Sequence, residues 1–145
     1  MKKYKIGMVQ VNNSFSGQNY LPLSLGFLVS YAEFHCKNFD DYDFLNPIYK
    51  RVPIKDAVEQ YKDCDIVAFS VYVWNNNISM RIAKALKEVN PNILTIAGGC
   101  HIPERPEYID KYMKDHPYLD IASVGEGERV FTDFLENYPT RSWEK

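Results

Sequence analysis

Short apolar runs alternate with amphipathic stretches along nearly the whole chain, and that alternation limits the fold more than any other feature. It marks a parallel sheet covered on both faces by helices, because each strand needs a crossover before its parallel neighbour can begin. Strands are expected over residues 4–11, 43–46, 65–70, 92–97 and 121–124, and helices over 21–34, 54–61, 78–89, 106–116 and 128–138. The run from Asp65 to Ser70 is continuously apolar over Ile66 to Phe69 rather than alternating, which suits a central strand buried on both faces. Ile78, Ile82, Ala85, Leu86 and Val89 fall on one face of the third helix, with Arg81, Lys84, Lys87 and Glu88 on the other. Pro22 suits a first helical turn, and Asn90-Pro91 stops the third helix.

Five strands alternating with five helices predict a doubly wound, Rossmann-like or flavodoxin-like α/β fold with a five-stranded parallel sheet of order 2-1-3-4-5. At 145 residues the chain accommodates one ordinary domain, placed at 1–138, with 139–145 as a polar tail or linker. No apolar run approaches the roughly 18 residues of a membrane span, and the basic start Met1-Lys2-Lys3 precedes too short an apolar run for a signal peptide. The expectation is a cytoplasmic protein with no membrane partner. A net charge of −2 with interspersed signs provides no basic stripe for nucleic acid. Cys36, Cys64 and Cys100 are odd in number and far apart, as expected of reduced, incidental thiols.

In such folds ligands sit beyond the carboxyl ends of the strands, which singles out the loops 12–20, 70–77, 98–105 and 125–127. The first is polar and long for a strand-to-helix connection, with Asn12 and Asn13 followed by Ser14, Ser16, Gln18, Asn19 and Tyr20. It leads into the apolar Leu21-Pro22-Leu23, then Gly26, whose helical cost of ~1 kcal/mol calls for something packed close to it. In the second, Ser70-Val71 leads to Trp74, an aromatic placed for a flat ligand or a partner, and Asn75-Asn76-Asn77 are expected to cap the third helix. Gly98-Gly99 lets a backbone approach a ligand or makes a tight turn, and His101 is expected to secure its loop by a hydrogen bond. Gly125-Glu126-Gly127-Glu128 puts carboxylates at a helix N-terminus.

No catalytic set emerges. The acidic residues of a magnesium-holding phosphoacceptor, the G-x-G-x-x-G dinucleotide fingerprint and a nucleophile paired with a histidine are all absent. What remains is a neutral, amide- and glycine-rich pocket with aromatic walls.

Leu21-Pro22-Leu23-Ser24-Leu25-Gly26, Ser70-Val71-Tyr72-Val73-Trp74-Asn75, Gly98-Gly99-Cys100-His101-Ile102-Pro103 and Gly125-Glu126-Gly127-Glu128 together resemble the N-terminal cobalamin-binding domain of cobalamin-dependent radical S-adenosylmethionine enzymes. The resemblance spans nearly the whole chain. It implies a corrinoid over the strand ends, with its nucleotide tail entering near Ser70, Gly98 and Gly99 and with Asn12, Asn13, Tyr20, Leu21 and Trp74 bordering the ring. Val71, His101, Gly125 and Glu126 complete the implied cofactor site, and a bulky residue at Gly99 is expected to block the tail while sparing the fold.

That family's C-x-x-x-C-x-x-C cluster motif is missing, the cysteines here being 28 and 36 positions apart, so no iron–sulfur cluster is expected in this chain. The implied function is a cobalamin-binding module serving a radical S-adenosylmethionine domain in cis or in trans, with the chain a fragment or a free-standing relative. D-x-H-x-x-G, which supplies a cobalt-ligating histidine in other cobalamin proteins, is also missing, so base-off cobalamin without a histidine ligand is expected. Two other readings stand beside this one. A degenerate domain would dock a protein through Trp74 and Tyr20, and an electron-transfer module would bind flavin mononucleotide through the segment Ser14 to Asn19.

Overall fold

A computed structural model describes residues 3–144. The chain start at Met1-Lys2 and the last residue of the expected tail, Lys145, lie outside the described residues. The strands are β1 (Tyr4–Val9), the short pair β2 (Ser14–Phe15) and β3 (Gln18–Asn19), β4 (Tyr42–Phe44), β5 (Ile66–Ser70), β6 (Leu94–Gly98) and β7 (Ile121–Ala122). The helices are α1 (Leu23–His35), α2 (Ile54–Tyr61), α3 (Asn76–Val89), α4 (Pro106–Asp115) and α5 (Gly127–Asn137). The main sheet runs β4-β1-β5-β6-β7 with every pairing parallel. With the β2–β3 pair set aside, this is the expected 2-1-3-4-5 order.

The period-two pattern of the strands sorts two cores. Ile6, Met8, Ile66, Ala68, Leu94 and Ile96 face α1 and α5, where they meet Leu25, Ala32, Phe131 and Leu135. Val9, Val67, Phe69 and Ala97 face the opposite side and meet α2, α3 and α4 through Tyr61, Leu86 and Tyr112. Gly7 has a packing reason, since a Cβ there would come within 2.7 Å of the Tyr61 ring. That ring is fully buried, its hydroxyl donates to the Met8 and Asn46 carbonyls, and burial pushes its pKa up to about 12.

Some expectations need correction. Within the expected 12–20 loop, β2 and β3 form an antiparallel hairpin turned by Ser16 and Gly17 at φ of +49° and +76°, the paired left-handed geometry of a two-residue turn. Polar residues without apolar alternation hid it. The first strand stops at Val9 rather than Val11, although Gln10 and Asn12 continue to donate to the Ile48 and Tyr49 carbonyls. Pro22 precedes α1 as its cap residue instead of opening its first turn. Val89, the last residue of α3, is largely exposed rather than on its buried face. Beyond α5 the chain turns back on itself, so that Trp143 packs 5.4 Å from the Phe134 ring and Arg141 lies 4.5 Å over Tyr138.

Candidate functional site

Along the face that meets α1 and α5, the strands lose bulk toward their carboxyl ends. Ile66 gives way to Ala68 and Ser70, Leu94 and Ile96 to Gly98, and Ile121 to Ser123. Ser70 pairs with Gly98, and Ser123 follows Ala122, the partner of Ala97, so Ser70, Gly98 and Ser123 form one row across three strands. The missing side-chain volume leaves a cavity of about 270 Å³ between the row and the two helices, with Leu25, Leu28 and Phe131 as its walls. That is near the lower end of the ~300–1,000 Å³ usual for small-ligand sites. It admits a slender arm of a ligand, and a large ring can lie only outside it.

Polar groups are few. Ser24 Oγ and the Tyr72 hydroxyl share a 2.6 Å hydrogen bond that links α1 to the loop after β5, and both residues line the cavity. Tyr72 stacks flat on Trp74, with ring centres 4.6 Å apart and planes 5° apart, while Trp74 stays 47% exposed. The Ser123 hydroxyl is sealed from water and has no hydrogen-bond partner. A buried hydroxyl left unpaired costs about 1–3 kcal/mol. With the bare strand at Gly98 beside it, this orphan suits a site completed by a ligand that brings an acceptor.

Of the residues expected from the sequence, Ser70, Gly98, Gly99 and Gly125 line the cavity. Asn12, Asn13, Tyr20, Leu21 and Trp74 lie on the loops after β1 and β5, outside it, with Tyr20 and Leu21 exposed. Asn12 has a structural duty, donating through Nδ2 to the Tyr20 and Leu21 carbonyls and closing the hairpin loop. Val71 is fully buried, with its side chain in the opposite core, so only its backbone borders the site. Its N–H donates to the Gly98 carbonyl, and its own carbonyl accepts from the His101 N–H. Glu126 is exposed at the start of α5, whereas Glu128, two residues further, lines the cavity.

Three expectations at these loops need correction, and several lining residues were missed. Asn75 is fully buried and does not cap α3 with its side chain; its Oδ1 accepts from the Tyr72 N–H, and its Nδ2 donates to the Val11 and Ser70 carbonyls. Gly99 has φ of +111°, and a Cβ there would sit 2.6 Å from the Val71 carbonyl oxygen, so a bulky residue cannot spare the fold. Gly26 has open space around it, and no close packing from this chain offsets its helical cost. Ser24, Leu25, Leu28, Phe131 and Ser123 were not foreseen as lining residues. The falling size of alternate strand residues was the available signal for Ser123, whereas the helix contributions depend on how α1 and α5 are placed.

The histidines sit apart from the cavity. His101 turns its ring edge-on toward Tyr112 at 6.3 Å, on the α4 side of the sheet, and its loop is held by its backbone rather than by its ring. His116 accepts from or donates to the Tyr118 hydroxyl at 2.8 Å, and burial lowers its pKa. His35 ends α1 against Tyr31. Cys36 and Cys64 are buried in opposite cores and Cys100 is exposed. Among the described residues, no three of His, Cys, Asp and Glu converge as metal ligands, and no helix is long and apolar enough to cross a membrane.

A doubly wound sheet with a narrow apolar slot opening at its carboxyl edge defines a small-ligand-binding α/β domain. The chain belongs to the B12 binding domain family, whose description matches residues 6–135. Over 116 residues, 80% of this chain, it is 39% identical to the cobalamin-dependent radical SAM methyltransferase TokK of Streptomyces tokunonensis. Over a stretch of the same length it is 37% identical to the 2-(S-pantetheinyl)-carbapenam-3-carboxylate methyltransferase of Streptantibioticus cattleyicolor. The matched region is 17% of each of these proteins, so this chain spans less than a fifth of their length. Among solved structures, the pilus assembly protein CpaE from Caulobacter crescentus superposes with a TM-score of 0.56 at 10% identity, over 94% of this chain and 99% of that one. That likeness concerns the fold alone.

Proposed function

We propose that this domain holds cobalamin base-off, with the nucleotide tail in the slot over Ser70, Gly98 and Ser123 and the corrin ring outside it across the strand ends. The slot carries this reading. It is too small for a macrocycle, apolar on its walls, and supplied with an unpaired hydroxyl at its floor. A tail held there is kept off the metal, and the exposed Trp74 of the loop after β5, together with the exposed Tyr20 and Leu21 of the loop after β1, offers the ring an apolar border. No histidine of this chain is placed to ligate cobalt, because His101 is directed to the α4 side while the slot lies on the α1 and α5 side.

When bound, the cobalamin supplies a cobalt centre that carries and transfers a one-carbon group. The domain's own contribution is to bind and orient it. The named relatives are methyltransferases, and this domain serves a radical S-adenosylmethionine catalytic domain of the same kind, in cis or in trans. Flavin mononucleotide is disfavoured because Ser14 to Asn19, the segment that would hold its phosphate, forms an exposed hairpin of which no residue lines the slot.

The test is electron paramagnetic resonance of the cobalt(II) form, after the protein has been incubated with hydroxocobalamin and desalted. The expected spectrum shows retained cobalt without nitrogen splitting. Loss of all corrinoid on desalting would favour a docking role for the exposed aromatics, and nitrogen splitting that vanishes in His101→Ala would reverse the assigned orientation.

A further inference from the structure

Among the helices, α1 departs from the amphipathic pattern that the others keep. Its Leu25 and Ala32 are buried against the sheet, yet on the opposite side Leu23, Phe27 and Phe34 stand 66%, 63% and 85% exposed. Glu33 is the only acidic or basic residue of α1 before its terminal His35. A helix that is apolar all round is normally covered on every side. Two rings and a leucine exposed to this degree present on the order of 400 Å² of apolar surface, at ~150–250 Å² per aromatic side chain, and a patch of that size marks an interaction surface.

The spacing of the patch indicates what covers it. Leu23, Phe27, Ser30 and Phe34 follow one another at intervals of four, three and four, the seam of a helix that packs lengthwise on another helix. These intervals read the same in reverse. An antiparallel second copy centred between Leu28 and Val29 therefore sets Leu23 against Phe34 and Phe27 against Ser30, twice over, once on each side of a two-fold axis. Self-complementarity of this kind is what an isologous interface requires and what an unrelated partner would not need. In each layer a ring meets a smaller residue, and Gly26, exposed beside the seam with nothing within 4 Å of a built Cβ, leaves room for a second helix to come close. The groove between α1 and α5 is rimmed by Glu126, Glu128 and Arg129, charges of both signs, so neither copy meets a uniformly like-charged edge.

We infer that α1 docks a second copy of this chain, paired antiparallel along the seam of Leu23, Phe27, Ser30 and Phe34. The apolar core of the contact is about half the ~800 Å² that each partner gives to a stable interface, and the flanking Gly26, Tyr31 and Glu33 enlarge it, so the dimer is weak and depends on concentration. The inference does not rest on cobalamin binding. Phe27 is shared between the seam and the slot, whereas Leu23 and Phe34 lie outside the slot, and the test is placed on those two.

The experiment is sedimentation velocity of the full chain over a wide range of concentration, for the wild type, Leu23→Lys, Phe34→Glu and an equimolar mixture of the two variants. Both residues are exposed, so neither substitution opens the core; circular dichroism checks the fold and retention of hydroxocobalamin checks the slot. The wild-type sedimentation coefficient is expected to climb from the monomer toward the dimer value as concentration rises. Each variant alone is expected to associate roughly a hundredfold more weakly, because it buries an unpaired charge in an apolar seam. The mixture regains the dimer, since the reversed pairing sets the introduced lysine against the introduced glutamate while the other layer keeps its native leucine and phenylalanine. A wild type that stays monomeric throughout overturns the inference and leaves the face to a further domain of a longer chain. A dimer that survives Phe34→Glu overturns the choice of face, and variants that fail to recover on mixing overturn the antiparallel pairing.

Discussion

A methyl group added at Gly99 would lie 2.6 Å from the Val71 carbonyl oxygen and 2.9 Å from the Val71 nitrogen, against backbone that cannot yield. At neighbouring Gly98 the same methyl would meet only Ser123, at 3.5 Å, an ordinary contact. Two adjacent glycines thus answer to different causes, Gly99 to the backbone at φ of +111° and Gly98 to the slot. Gly99→Ala is expected to cost roughly 1–3 kcal/mol of stability, the usual range for a side chain forced into a sparsely allowed conformation. Gly98→Ala should change stability little, yet weaken cobalamin binding by filling the slot. Urea denaturation together with cobalamin titration of both variants checks this. Normal stability of Gly99→Ala, or unchanged affinity of Gly98→Ala, would contradict it.

At the scale of elements, the site depends on side chains that tie strand ends to helix starts. Asn75 holds the ends of β1 and β5 together through Val11 and Ser70, and it fixes the loop that carries Tyr72 and Trp74. Gln10, also buried, accepts from the Leu25 N–H in the first turn of α1, where Pro22 provides no side-chain cap. Both polar residues work in places where the backbone leaves groups unpaired. Replacing Asn75 by Ala strands one buried N–H and two carbonyls, so a loss of about 3 kcal/mol is expected at the stated 1–3 kcal/mol for an unsatisfied buried group with partial relief by water. The lost order in the 71–75 loop should also lower cobalamin affinity. Thermal and chemical denaturation measure the first effect and titration the second; an Asn75→Ala protein as stable as the wild type would show that the three bonds are not formed as described.

For the whole molecule, filling the slot links binding to folding, because the cavity exists only when α1 and α5 are packed on the sheet. At a hundredfold excess over the dissociation constant, cobalamin should add about 2.7 kcal/mol to stability. For a chain of this size that amounts to roughly 5–10 °C in Tm. Cobinamide, with nothing to place in the slot, should raise Tm by less at equal concentration, and equal shifts from both in scanning calorimetry would argue against a tail in the slot. The sequence by itself determined the alternation of strands and helices and so the doubly wound class, because buried runs, helical periodicity and strand-end glycines are local signals that agree with one another, whereas the order of the strands is fixed only by their pairing in the folded sheet. It also pointed to the loops at the carboxyl edge, and the names of Ser70, Gly98, Gly99 and Gly125 were legible there, since topology alone puts strand ends at the ligand edge. The hairpin at Ser16-Gly17, the knot at Asn75 and the walls supplied by α1 and α5 were decided only in three dimensions. A polar side chain's partner and a cavity's depth depend on residues distant in sequence, as with Asn75 and Val11, or Ser24 and Tyr72, which no local pattern brings together.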